Sequence, residues 1–208
     1  MNNLILVGGG GHCKSVIDVA ESVGFKIIAI LDKEDNIGKR VLNYTITGTD
    51  DDIPNYVNKG NFIVTVGQIK NSLLRIKLHD KILNFGGRLA TIIASTAYVS
   101  KYAKIDEGTV VLHHASVNAE ANIGKGCIIN SFTNIEHESI IGDYSHISTG
   151  AMINGGCKIG HSVFIGSNTT LLQCISIVSD SIIGAGSLVN KDILEKGIYA
   201  GNPILRIK

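Results

Sequence analysis

The pair His137-Glu138, in the run Asn134-Ile135-Glu136-His137-Glu138-Ser139, sets an imidazole beside a carboxylate. A neutral imidazole is well matched to taking a proton from an amine or hydroxyl near neutral pH. An adjacent carboxylate can fix its tautomer and stabilise the imidazolium that forms. A second stretch able to do chemistry is Gly8-Gly9-Gly10-Gly11-His12, between the apolar run Leu4–Val7 and the segment Cys13–Val23, whose apolar residues recur at helical spacing. A glycine turn leading into a helix offers free backbone N–H groups and the positive end of the helix dipole to a phosphate or another anion. As a dinucleotide fingerprint it is incomplete, because Cys13 stands where the third glycine belongs. Asp32 nevertheless lies about twenty residues downstream, where an acidic residue would meet a ribose hydroxyl.

The elements that must hold these residues differ between the two halves of the chain. From Val99 to Val189 every sixth residue is aliphatic, running through Ile105, Val111, Val117 and so on for sixteen hexads. Two residues before each stands a small side chain at nearly every turn, as at Ala115, Cys127, Ser145 and Ala151, with Val163 and Ile175 as exceptions. That period suits a parallel β-helix, in which each repeat is a short strand plus a corner and stacked repeats bury one apolar core. His137 and Glu138 then fall two and three places after Ile135, at a corner where the chain elsewhere often has glycine (Gly108, Gly126, Gly150, Gly156, Gly186).

The first half reads as alternating strands and helices. Leu4–Val7, a helix over Cys13–Val23 and a strand over Lys26–Leu31 make a βαβ unit. Phe62–Val66 predicts a strand, Asn71–Phe85 an amphipathic helix and Leu89–Ile93 a further strand. Residues 1–94 are expected to form an α/β Rossmann-like domain, and residues 95–208 the β-helix.

Composition removes several classes of function. Lys+Arg 19 against Asp+Glu 18 gives a net charge of +1 without a long basic run, so nucleic acid is not an expected partner. The four cysteines have no C-x-x-C spacing, and Cys127 and Cys157 occupy small-residue slots of the hexad, as buried reduced thiols would. Leu4–Val7 is too short for a signal segment or a membrane span, and a soluble cytoplasmic protein is expected.

A first half opening VGGGGHCKSVID, then a β-helix containing NIEHESIIGDYSHISTGA and ending GNP, resembles the hexapeptide-repeat sugar O/N-acyltransferases. These are the UDP-4-amino-sugar N-acetyltransferases and the sialic acid O-acetyltransferases, and the resemblance spans essentially the whole chain. It implies a left-handed triangular helix with three hexads per coil, hence about five coils. It also implies acetyl-CoA as co-substrate, a nucleotide sugar held by the first domain, and a homotrimer with active sites between subunits.

Carried over residue by residue, the resemblance makes His137 the base and Glu138 its orienting partner. His146 and Gly155 would contact acetyl-CoA, the N–H near Gly155 serving the thioester oxygen. Asn130 would be a polar group of the active site. His12 would meet the sugar and Asp32 the nucleotide, with Gly8, Gly10 and Gly11 cradling phosphates. The chain departs from the family at Lys33, where the nearest N-acetyltransferases have a second aspartate, and at Gly201-Asn202-Pro203-Ile204, usually G-x-P-A.

The expected reaction is transfer of acetyl to the 4-amino group of a nucleotide-linked amino-dideoxy sugar. O-acetylation of a sialic acid is the alternative acceptor chemistry. A relay through Cys127 or Cys157 is disfavoured because neither is spaced to pair with His137. A zinc β-helix of the carbonic anhydrase kind would draw on His113, His137 and His161. Their 24-residue separation is one coil plus one face, so one subunit spreads them over different faces and no metal is expected. A non-catalytic scaffold is the remaining alternative.

Overall fold

The computed structural model describes residues 2–208. Its first half is a small sheet of β1 (Asn3–Val7), β2 (Lys26–Asp32), β3 (Arg40–Val41), β4 (Tyr44–Thr49) and β5 (Asn61–Val64), in the order β3-β4-β2-β1-β5. All neighbours run parallel except the β3–β4 hairpin. Leu4, Ile5, Leu6 and Val7 are all buried because both sheet faces are covered, which is why β1 reads as a continuous apolar run. Helix α1 (Gly11–Ser22) covers one face with Val16, Ile17 and Ala20, and α2 (Leu73–Asn84) covers the other with Leu78 and Ile82. Residues 33–60, for which no element is expected from sequence, supply the β3–β4 edge of this sheet.

The second half is a parallel β-helix of seventeen two-residue strands, from Ile92–Ile93 to Leu188–Val189. Each strand pairs with the one eighteen residues on, as Asn134–Ile135 does with Met152–Ile153, so three hexads make one coil and the strands fall on three faces. The first face carries Ile92–Ile93, Val110–Val111, Ile128–Ile129 and His146–Ile147; the second carries Tyr98–Val99 through Asn134–Ile135; the third carries Lys104–Ile105 through Ile140–Ile141. The aliphatic and small residues of the hexad point inward and form one core that runs from Val111 to Val189.

The stretch Leu89–Ile93 differs from expectation. Leu89 forms only an isolated bridge to Phe62, whereas Ile92–Ile93 pairs with Val110–Val111 and opens the β-helix. Ile92, Val110 and Leu112 share a core with α1, so the two halves are welded rather than linked.

The corners follow one rule. Every sixth residue from Gly108 to Gly186 has a positive φ, and nine of these fourteen positions are not glycine, Glu138 among them at φ 58°. Hydrogen bonds between coils hold the conformation, for instance from Glu138 N–H to the Ala119 carbonyl. A charged residue in this slot is therefore ordinary for the chain, and Glu138 is set apart by its partner, not by its backbone.

Candidate active site

His137 stands at the corner between the second and third faces, exposed to solvent. Its Nδ1 lies 2.9 Å from Glu138 Oε2. A carboxylate accepts, so Nδ1 carries the proton and Nε2 keeps its lone pair, with no hydrogen-bond partner among the described residues. One coil further on, Gly155 provides the floor: a Cβ there would stand 2.6 Å from His137 Cε1 and 2.7 Å from Nε2. Gly156 N–H donates to the His137 carbonyl at 2.9 Å and fixes the main chain beneath the ring. Backbone, carboxylate and glycine floor together orient one imidazole with a free basic nitrogen.

The glycine turn divides into two parts. Gly8 has φ 114°, and a Cβ on Gly9 would strike Asp32 Oδ2 and Ile46, so both glycines serve the packing of the turn. Gly10 and Gly11 face open space at the start of α1, where nothing stands within 4 Å of a built Cβ. Asp32 Oδ2 accepts from Gly9 N–H at 3.0 Å and from Asn36 Nδ2 at 3.1 Å, while Oδ1 accepts from Lys33 N–H at 2.8 Å. Asp32 thus holds the turn in shape. A cavity of about 200 Å³ opens beside it at the carboxyl ends of β1 and β2, lined by Gly8, Asp32, Lys33, Asp50, Leu74 and Leu78. Ligands of open parallel sheets bind at this end, where the strand order reverses.

A third group lies where the first domain meets the first face. His146 points outward from that face and is nevertheless buried, its Nδ1 2.8 Å from the Gln68 carbonyl and its Nε2 3.2 Å from Asn130 Nδ2. Burial pushes the His146 imidazole down to about 4, against the opposing Gln68 carbonyl and with the Arg75 charge. Burial, then the charges of His146 and Arg75, push His12 down to about 3. Both are neutral at neutral pH, and His146 has no lone pair to spare for a substrate. The structure thus gathers His12, Asn130 and His146 near the glycine turn and gathers His137, Glu138 and Gly155 at a corner on the other side of the prism.

Gln68 and Arg75 are absent from the sequence-based set. The signal for Arg75 lies in α2, where Arg75 and His79 share a buried stripe with Leu78 and Ile82, two basic side chain types in an apolar face, while Gln68, in the loop before α2, carries no such signal. Cys13, Cys127 and Cys157 are buried and behave as hydrophobes, burial pushing Cys127 up to about 12 and Cys157 upward as well, whereas Cys174 is exposed at a corner, unlike the buried thiols expected from sequence. His113, His137 and His161 occupy three different corners, and among the described residues no group of three or more His, Cys, Asp or Glu could hold a metal ion. Among the described residues no helix is long and apolar enough to cross a membrane.

Burial, with Arg75 and Lys125 nearby, pushes His79 down to about 4 from 6.5. Its folded form stays neutral where the unfolded chain takes up a proton, so stability falls as pH drops from 6.5 towards 4. His79→Leu is expected to reduce the slope of unfolding free energy against pH in that window by about one proton, or about 1.4 kcal/mol per pH unit. Urea unfolding at a series of pH values reads this directly; equal slopes for the two proteins would mean that His79 is not held neutral.

Residues 3–82 match the PglD N-terminal domain, and residues 120–155 match the bacterial transferase hexapeptide (six repeats). The whole chain is similar to the acetyltransferase domain of PglB from Neisseria gonorrhoeae FA1090, solved in complex with acetyl coenzyme A. The two are 28% identical over 99% of each chain, with a TM-score of 0.92. PerB from Caulobacter crescentus, solved with CoA and GDP-perosamine, is 28% identical over 99% of this chain and 97% of that one, with a TM-score of 0.92. A histidine-to-alanine mutant of GDP-perosamine N-acetyl transferase from the same organism, also with CoA and GDP-perosamine, superposes with a TM-score of 0.93 at 28% identity over 99% of this chain and 97% of that one. With both halves matched by family and the full length superposing on sugar acetyltransferases, the protein belongs to the hexapeptide-repeat sugar acyltransferases, and its β-helix is left-handed.

Proposed function

We propose that the protein transfers acetyl from acetyl-CoA to the 4-amino group of a nucleotide-linked amino-dideoxy sugar, with His137 as general base. The observation that carries this reading is the His137 ring, whose Nδ1–H is held by Glu138 while its exposed Nε2 is free to accept a proton. The relatives solved with acetyl-CoA, CoA and GDP-perosamine support the choice of thioester donor and amino-sugar acceptor.

The acceptor nitrogen attacks the thioester carbonyl, its N–H proton passes to His137 Nε2, and Glu138 stabilises the imidazolium. When the C–S bond breaks, the same proton leaves with the CoA thiolate, so the ring returns to its starting form. Gly10 and Gly11 N–H groups at the open start of α1 hold the sugar nucleotide's phosphates, and the cavity bounded by Asp32, Lys33 and Asp50 takes the nucleoside end. His12, Asn130 and His146 line the path between that turn and the acyl group, and Gly155 lies beside the base. Both substrates carry phosphates and do not cross membranes unaided, which keeps the reaction in the cytoplasm.

The site is completed between subunits of a homotrimer. His137 sits at the corner opposite the first face, where Asn130, His146 and the first domain are docked, so one subunit cannot bring them together. The outward positions of the second face carry no charge, being Tyr98, Ser116, Asn134, Met152, Thr170 and Leu188, with Tyr98 and Met152 well exposed. A three-fold axis lays that face and its His137 corner against the neighbour's first domain.

His137→Ala is expected to lower kcat by roughly 10²- to 10⁴-fold while KM for both substrates changes little. Near-wild-type turnover by the variant on a nucleotide-linked amino sugar would remove His137 from the base role. Subunit sharing is tested by co-refolding His137→Ala with Asn130→Ala, each crippled alone. Random mixing in a trimer restores about a quarter of the intact sites, because each needs one good half from each neighbour. Activity no higher than the average of the two parents would place both halves in one subunit.

A further inference from the structure

Helix α2 and the loop before it run along the β-helix in step with its coils. Gln68 Nε2 donates to the Ser162 carbonyl at 3.2 Å, Ser72 Oγ meets Ser162 Oγ at 2.7 Å, Arg75 Nη2 donates to the Tyr144 carbonyl, and the His79 ring rests over Gly126 and Gly108. The helix residues step by three or four and the corner residues by eighteen. A helical turn rises about 5.4 Å and adjacent strands lie about 4.8 Å apart, so the two ladders stay matched over several rungs.

Arg75 is the anomaly in this interface. It is 2% exposed, faces no carboxylate, and its Nε and Nη1 make no hydrogen bond among the described residues. Burying an ion on such terms is costly, and a methionine would cover the same apolar stripe without that cost. Packing alone does not account for an arginine here.

What the guanidinium does is set the sense of a chain of hydrogen bonds. It can only donate, so the Gln68 Oε1 at 2.6 Å must accept, which turns Gln68 Nε2 towards the Ser162 carbonyl. With that side chain pinned at both ends, the Gln68 main-chain carbonyl points at His146 Nδ1, 2.8 Å away. A carbonyl can only accept, so the proton is on Nδ1 and the Nε2 lone pair takes an N–H from Asn130 Nδ2 at 3.2 Å. Asn130 Oδ1 in turn accepts from Ser131 N–H at 2.8 Å. Every bond from Arg75 to Ser131 has one possible direction.

We propose that Arg75 is a positioning residue for acyl transfer, acting through Gln68 to hold His146 as its Nδ1–H tautomer and so to aim the Asn130 amide into the site. The inference rests on the function proposed above for its kinetic consequence, but the tautomer it assigns is independent of the reaction.

The test uses the full-length trimer and the variants Arg75→Met, Arg75→Lys and Gln68→Ala. Ser72→Ala serves as control, because it breaks the Ser72–Ser162 bond of the same interface without touching the chain. Ring ¹⁵N resonances report the His146 tautomer, and steady-state rates with acetyl-CoA and a nucleotide-linked amino sugar report kcat and KM. Arg75→Met and Gln68→Ala are expected to lose the pure Nδ1–H form and to lower kcat by roughly 10- to 100-fold, the scale of a small misplacement of a reacting group. KM for the sugar nucleotide is expected to change less than about twofold, since the glycine turn is untouched. Arg75→Lys, which keeps a buried donor, is expected to fall between, and Ser72→Ala to lower Tm while keeping tautomer and kcat.

Arg75→Met with the wild-type tautomer and kcat overturns the proposal, and so does Ser72→Ala with an equal loss of kcat. If Arg75→Met does not fold, Gln68→Ala carries the same two outcomes. If the wild-type trimer acetylates no amino sugar, the functional reading fails on that result alone, while the ring spectra still decide whether Arg75 sets the tautomer.

Discussion

The eighteen-residue register between coils is the constraint on which everything else depends. Main-chain hydrogen bonds pair each two-residue strand with the strand one coil on, and further bonds tie the corners, such as Gly156 N–H to the His137 carbonyl. Each bond contributes only about 0.5–1.5 kcal/mol net, but together they fix which side chains stack over one another. Inside, that register stacks Ile129, Ile147, Ile165 and Ile183 into a column without exposed surface. At the corner it sets Gly155 under His137, where a side chain would take the space the ring occupies. The core and the His137 corner, the proposed base among its residues, are therefore placed by the same repeat.

The second constraint is the weld between the halves. Ile92, Val110 and Leu112 merge with the α1 core, and beyond that apolar patch the contact turns polar, burying Gln68, Arg75, His79 and His146 and half-burying His12. Burial keeps the histidines neutral, which makes the two hydrogen bonds of the His146 ring directional, and it makes the interface sensitive to acid. An interface of this kind contributes less to stability than an apolar one of equal area. It determines the angle at which the glycine turn meets the first face.

Periodicity made the β-helix and the strand–turn–helix opening legible, because one aliphatic side chain per six residues and a glycine turn behind four buried residues each have few other physical solutions. The His137-Glu138 pair was legible for the same reason: two ionisable neighbours at a corner need no long-range information to be in contact. Corner glycines were a weaker guide than they looked, since most corners reach positive φ without glycine. The β3–β4 edge, the opening strand at Ile92–Ile93, and the inward duty of Asp32 depend on contacts between segments far apart in sequence. Arg75 and Gln68 matter only because α2 lies along the β-helix corners, and nothing local announces that docking.

The proposed site is shared, with the base from one subunit and the sugar nucleotide from the next. The most direct measurement is a crystal structure of the protein in its solution assembly with CoA and a nucleotide-linked amino sugar. The expected result is the acceptor nitrogen within about 3.2 Å of His137 Nε2 of one subunit while the phosphates rest on Gly10 and Gly11 of its neighbour. Phosphates and His137 contributed by the same subunit, or an amine directed away from His137, would contradict it.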